Sequence, residues 1–208
     1  MNMKESDPMG SERWSENVII ADADYIDKVA FDLTVNFERM IGRRIPPADM
    51  ARWLVCVALD GGMRARKAEE SGMRQTQVVL IHDKRKTKLD YFKPAGYDDE
   101  LDGKAFSDDY LGEFTIAVLP REEMVSKEDF FCDALMHICN HKDVRRVMAV
   151  PDTEHYYEGV RHALRDIDDE EKRVTVFAMQ PMPGGPFRQE ILGYSLMNAL
   201  GIKADEIR

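Results

Sequence analysis

Two short apolar runs that each end in a pair of acids constrain this chain most. Val18-Ile19-Ile20-Ala21 precedes Asp22 and Asp24, and Val147-Met148-Ala149-Val150 precedes Asp152 and Glu154. β-Branched runs this short, bounded by polar residues, read as strands buried on both faces, which is the habit of parallel sheets. Between them lie segments with apolar residues at helical spacing, such as Val29, Leu33 and Phe37. Strands alternating with helices predict an α/β fold: a mostly parallel, five-stranded sheet with helices on both faces, in a Rossmann-like three-layer sandwich. In such sheets, ligands bind beyond the carboxyl ends of the strands. Both acidic pairs are therefore expected at the functional edge.

The expected order is a strand from Asn17 to Ala21, a helix from Tyr25 to Met40, and a helix from Ala48 to Leu59 opened by Pro46-Pro47 and stopped by Gly61-Gly62. A strand from Gln75 to Ile81 follows, with a return strand from Lys88 to Phe92. Residues 96–109 read as irregular. Next come a strand from Glu113 to Leu119 ended by Pro120, and a helix capped by Ser126 running to Asn140. The last elements are a strand from Arg145 to Val150, a helix from Thr153 to Arg165, a strand from Arg173 to Met179 and a helix from Arg188 to Leu200. Residues 1–16 read as a loose tail and residues 17–208 as one domain.

The net charge of −10 argues against coating nucleic acid by bulk electrostatics. The charge is uneven, however. From Arg64 to Lys93, nine basic residues face four acidic ones, leaving +5 locally. Lys84, Arg85, Lys86 and Lys88 are the densest part, a candidate rim for tracking phosphates. No apolar run approaches the roughly 20 residues needed to span a bilayer, so no membrane association is expected. Cys56, Cys132 and Cys139 match no zinc spacing. Cys56 and Cys132 lie among apolar residues, as buried reduced thiols do, and a cytoplasmic location is expected.

The acids admit two readings. Helix capping accounts for one pair at a time, through Asp24 or Asp152. A shared site accounts for both, and several carboxylates in one cleft call for a divalent cation to relieve their repulsion. Asp129 and Asp133, four residues apart on one helical face, are candidates to join that cluster.

The succession of strand-Asp22, Lys127-x-Asp129-x-x-x-Asp133-Ala134-Leu135 and Val150-Pro151-Asp152-Thr153-Glu154-His155 resembles the NYN branch of the PIN-like nuclease superfamily. The resemblance spans about Asn17 to Met179. It implies phosphodiester hydrolysis, on RNA, dependent on Mg²⁺ or Mn²⁺. It assigns Asp22, Asp152 and Glu154 to catalysis, Asp22, Asp129, Asp133 and Asp152 to the metal, and Asp24 to a supporting position. The chain departs from the family pattern at Tyr25, where that branch has Asn, and at Val150-Pro151, where it has Ser-Gly. A non-catalytic PIN-like module is accordingly the alternative, with a protein partner or a second copy docking on the final helix through Ile191, Leu192, Leu196 and Leu200. Asp22-Ala23-Asp24 also opens a second alternative, a haloacid dehalogenase-like phosphatase with Asp22 as nucleophile and Lys142 as its lysine. Such enzymes want Ser or Thr at the end of a middle strand, where this chain has His82-Asp83 or Leu119-Pro120.

Overall fold

The computed structural model describes residues 13–65, 74–167 and 171–207. Its elements are β1 (Asn17–Asp22), α1 (Ala23–Ile41), β2 (Ala48–Asp49), α2 (Met50–Asp60), β3 (Gln75–Asp83), β4 (Phe92–Lys93), a π-helical turn (Tyr97–Leu101), β5 (Ala105–Asp108) and β6 (Gly112–Arg121). They continue with α3 (Lys127–Asn140), β7 (Arg146–Val150), α4 (Tyr157–Leu164), β8 (Arg173–Ala178), β9 (Arg188–Ile191), α5 (Leu192–Ala199) and a 3₁₀ turn (Ala204–Glu206).

The main sheet has seven strands in the order β5-β6-β3-β1-β7-β8-β9, parallel except for β5. This is the expected α/β architecture with two more strands than expected. β1 is buried along its whole length because it has a parallel neighbour on each side. Its side chains alternate between two cores. Ile19 and Ala21 pack with α1, α2 and α5. Val18 and Ile20 pack with α3 and α4 on the opposite face. From β1 the chain builds outward through β3 and β6, then returns through α3 to place β7 on the other side of β1. The order of the strands therefore reverses between β1 and β7, where open α/β sheets form their ligand crevice.

Both additional strands lie at sheet edges. β5 occupies part of the stretch expected to be irregular and pairs antiparallel with Gly112–Thr115 of β6. β9 takes the first turn of the expected last helix: Arg188–Ile191 align with Thr175–Ala178 of β8, and α5 starts only at Leu192. The expected return strand is absent as such. Lys88 makes a single bridge to Gly96, and Phe92–Lys93 pair in parallel with Ala48–Asp49. Pro120 does not end β6, which runs on to Arg121. The amide of Ile116 points away from β3, toward Lys104 O, and strand alternation points position 120 the same way, so the missing N–H of Pro120 costs no ladder bond. The helix expected from Thr153 starts at Tyr157, because residues 153–155 form a turn held by Asp152.

Within the tail, residues 1–12 lie outside the described residues. Residues 13–16 are tied down instead of loose: Trp14 is buried, and Ser15 N donates to Gln77 Oε1 at 2.6 Å. No helix among the described residues is long and apolar enough to cross a membrane. Leu192, Leu196 and Leu200 are fully buried in the core with α2 and β8, so the apolar stripe of α5 is used within the domain. It is not a free docking face.

Cys56, Cys132 and Cys139 are free thiols; the last two are buried, and Cys56 is only half-buried. Burial pushes the Cys132 and Cys139 thiols up to about 12, which leaves almost no thiolate near neutrality. Native protein treated with iodoacetamide at about pH 8 is expected to be alkylated at Cys56 at most, slowly, and at all three positions in guanidinium. Peptide mass spectrometry reads the difference.

Candidate functional site

Asp22 ends β1 and caps α1. Its side chain is fully buried and accepts three donors. Tyr25 N donates to Oδ1 at 3.1 Å, Tyr156 Oη donates to Oδ2 at 2.7 Å, and Lys127 Nζ lies 3.4 Å from Oδ1. Asp24 lies beside it. Its Oδ2 accepts from Lys127 Nζ at 2.8 Å and from Asp83 N at 2.9 Å, and Lys86 Nζ is 3.2 Å from Oδ1. One ammonium thus bridges both carboxylates of the Asp22-Ala23-Asp24 segment.

These partners set the ionisation. Burial raises the Asp22 carboxyl above its ordinary value of 3.8, although Lys127, Tyr156 and Tyr25 pull the other way. Burial also acts to raise Asp24, but the Lys127 hydrogen bond and charge, with Asp83 N and Lys86, take it below 3.8. Burial disfavours the charged form of Lys127, yet the two aspartates hold its pKa above the ordinary lysine value. Burial first, and the charge of Asp22 second, keep the Tyr156 phenol protonated as a donor. The group is an ion-paired network with every member anchored.

The second acidic pair is held separately. Asp152 Oδ1 accepts from Glu154 N and His155 N at 3.1 and 3.2 Å, and its Oδ2 lies 2.8 Å from His155 Nδ1. Glu154 is exposed and ion-paired with Lys28 Nζ at 2.7 Å. The segments that follow β1 and β7 do meet, through Tyr25 Oη and Thr153 Oγ1 at 3.4 Å. Asp129 and Asp133 are both exposed, and Asp129 is engaged with its own N-cap, Ser126. Among the described residues, no three or more His, Cys, Asp or Glu side chains form a group able to hold a metal ion. The structure brings together Asp22 and Asp24, and it sets Asp129 and Asp133 outward.

The basic rim divides between the two ends of the sheet. Lys84 pairs with Glu122 and Arg85 with Glu123, both at 2.7 Å, while Lys86 reaches Asp24. Lys88 is exposed and contributes its backbone to the bridge with Gly96. Arg66 and Lys67 lie outside the described residues. Arg64 and Arg74 sit by the opposite edge, next to Asn17.

Lys127 and Tyr156 are the members that spacing alone did not single out, although the signal was present. Lys127 continues the buried stripe Phe131, Ala134, Leu135, Ile138 one turn toward the N-terminus of α3. Tyr156 stands in the same relation to Val160 and Ala163. A lysine on an apolar stripe needs a buried partner.

The fold and this edge define an α/β domain with a mostly parallel sheet, consistent with a Rossmann-like sandwich, and with a lysine-bridged aspartate pair at its topological switch point. By sequence, the chain belongs to DUF6621, a family of unknown function whose model matches residues 11–207. No curated protein and no solved structure matches it.

Proposed function

We propose that this chain is a catalytically degenerate PIN-like domain of the NYN kind, acting as a binding module. One observation carries the reading: Lys127, the lysine of the helical motif, bridges Asp22 and Asp24, while Asp129 and Asp133, the acids that motif would bring to a metal, face solvent. The residues present do not fit Mg²⁺ or Mn²⁺. A divalent ion at Asp22 would have to displace a bonded ammonium and compete with a phenol and a backbone amide for the same carboxylate. Asp152 and Glu154 already have partners of their own, and Asp129 and Asp133 face solvent. The phosphatase alternative is weaker still. Asp22 has no solvent-exposed surface from which to attack, and Lys142 lies with Trp14 and Arg145, at the far end of the sheet.

The metal-dependent ribonuclease reading keeps one supporting observation. A fully buried aspartate stands at the switch point, next to the strand that carries Asp152. Calorimetry with Mn²⁺ and cleavage of a labelled single-stranded RNA separate the two readings. The expected result is no saturable heat and no cleavage above the buffer rate. Saturable Mn²⁺ binding that Asp22→Asn abolishes, accompanied by cleavage, would overturn the degenerate reading and restore the nuclease.

A further inference from the structure

The opposite edge of the sheet carries a concentration of arginine that the Asp22 network does not use. The register makes it unavoidable: Arg146 of β7 pairs with Arg173 of β8, so two like charges lie side by side on neighbouring strands. Such pairs are unfavourable unless something answers them. Arg145 precedes Arg146, and Arg74 leads into β3 nearby. Arg64 arrives from the Gly61-Gly62 turn, where a Cβ on Gly61 would lie 2.3 Å from Met148 Cγ. Glycine there lets the chain after α2 pass close against the sheet.

Arg64, Arg74, Arg145, Arg146 and Arg173 line one open cavity of about 510 Å³, together with Glu16 and Glu171. A second cavity of about 530 Å³ shares Gly62, Arg64, Arg146 and Arg173 with it and adds Lys172, Phe187 and Arg188. Glu171 is paired with Arg145 at 2.8 Å, and Arg74 Nη1 donates to Arg64 O at 2.7 Å. Arg146 is the centre. Its Nε is buried and has no hydrogen-bond partner. Burial first, then the charges of Arg173 and Arg74, lower its pKa, with Glu16 opposing them. A half-buried guanidinium with an unanswered N–H, among like charges, is poised for an anion.

From this geometry we infer that the basin binds a phosphate-bearing polyanion carrying at least two adjacent phosphate charges. Guanidinium forks match phosphate oxygens in pairs, and Arg146 and Arg173, side by side on β7 and β8, can share adjacent phosphates that a single charge would not fill. Each cavity lies within the roughly 300–1,000 Å³ typical of small-ligand sites. Two sources share this chemistry, an inorganic phosphate chain and a nucleoside polyphosphate. The Phe187 side of the second cavity distinguishes them. The inference does not rest on the PIN-like reading, because none of these residues belongs to the Asp22 network.

The test is calorimetry of the full chain with tripolyphosphate and, in parallel, with ATP, both free of metal. Wild type, Arg146→Gln, Arg173→Gln and Asp22→Asn are compared, with thermal unfolding to confirm folding. Expected is saturable binding by wild type, weakened roughly tenfold or more in either arginine variant and unchanged in Asp22→Asn. Arg173 is exposed, so its variant keeps the test valid if Arg146→Gln does not fold. Equal affinities would assign recognition to the phosphates alone. Tighter ATP binding, lost in Phe187→Ala, would assign the nucleoside to the second cavity. The inference is overturned if neither probe binds or if Arg173→Gln binds as wild type does.

Discussion

Replacing Lys127 by Met is expected to cost about 3 kcal/mol of stability at neutral pH and distinctly less near pH 4.5. Met conserves most of the volume, so the loss is electrostatic. The ammonium lies 2.8 Å from Asp24 and 3.4 Å from the fully buried Asp22. Removing one partner of a buried pair leaves an uncompensated charge, worth about 3–5 kcal/mol. Lys127 keeps 27% exposure, which places the effect at the lower end of that range. The pH dependence has a definite sign. Asp22 is already raised above 3.8 by burial, and it rises further without Lys127. A carboxyl with a folded-state pKa above its unfolded value binds more protons when folded, so stability falls as pH climbs from 3.8 through the raised value. Asp24 behaves oppositely in the wild type. Burial acts to raise it, but Lys127 and its other partners bring it below 3.8. Its stabilisation is complete above 3.8 and is lost as pH falls through the lowered value; the variant forfeits most of that contribution. Both changes penalise the variant most near neutrality. Urea midpoints at about pH 4.5 and 7.5 read the effect, with Lys127→Arg as the charge-conserving control. A gap of equal size at both pH values would mean that Lys127 acts through packing.

That network shows which part of the molecule is legible in one dimension. The strands flanking the switch point were readable from Val18–Ala21 and Val147–Val150, because full burial on both faces leaves little choice of residue. The Ser126 cap was readable because its chemistry is local: the Ser126 hydroxyl accepts from Asp129 N, three residues on. Edge elements were not. β9 has to satisfy only one neighbour and a half-buried face, so Arg188-Gln189-Glu190-Ile191 carries no strand signature. The acidic cluster failed for a different reason. Spacing places Asp129 and Asp133 on one face of α3, but the phase of the helix against the sheet is decided by Phe131, Leu135 and Ile138, which turn that face to solvent. Partners separated by 105 positions, as Asp22 and Lys127 are, leave no spacing rule to find them. Only the misplaced charge on an apolar stripe points to such a pair.

Asp27→Ala is expected to destabilise the chain by about 3 kcal/mol and to loosen the basic loop selectively. Asp27 lies on the buried side of α1, and its carboxylate accepts from Asp90 N at 3.1 and 3.0 Å and from Tyr91 N at 2.8 Å. The anchor extends further through the backbone. Tyr91 O accepts from Ala48 N at 2.7 Å, and Phe92 packs edge-on against Trp53, 5.7 Å between ring centroids. One side chain of α1 therefore holds the loop that carries Lys86 to Asp24, and with it the entry to α2. Alanine leaves two backbone N–H groups without acceptors. Asparagine keeps an acceptor oxygen and is expected to stay within about 1 kcal/mol of wild type. It also removes the cost of burying the charge. Burial raises the Asp27 carboxyl above 3.8 despite its two amide partners, so its ionisation erodes stability as pH rises from 3.8 through the raised value, an erosion absent in Asp27→Asn. Hydrogen exchange supplies the local readout: the amides of Asp90, Tyr91 and Ala48 should lose protection together in Asp27→Ala, ahead of β1. If Ala48 stays protected while Asp90 and Tyr91 exchange freely, the Trp53–Phe92 contact holds the loop and the carboxylate only trims it.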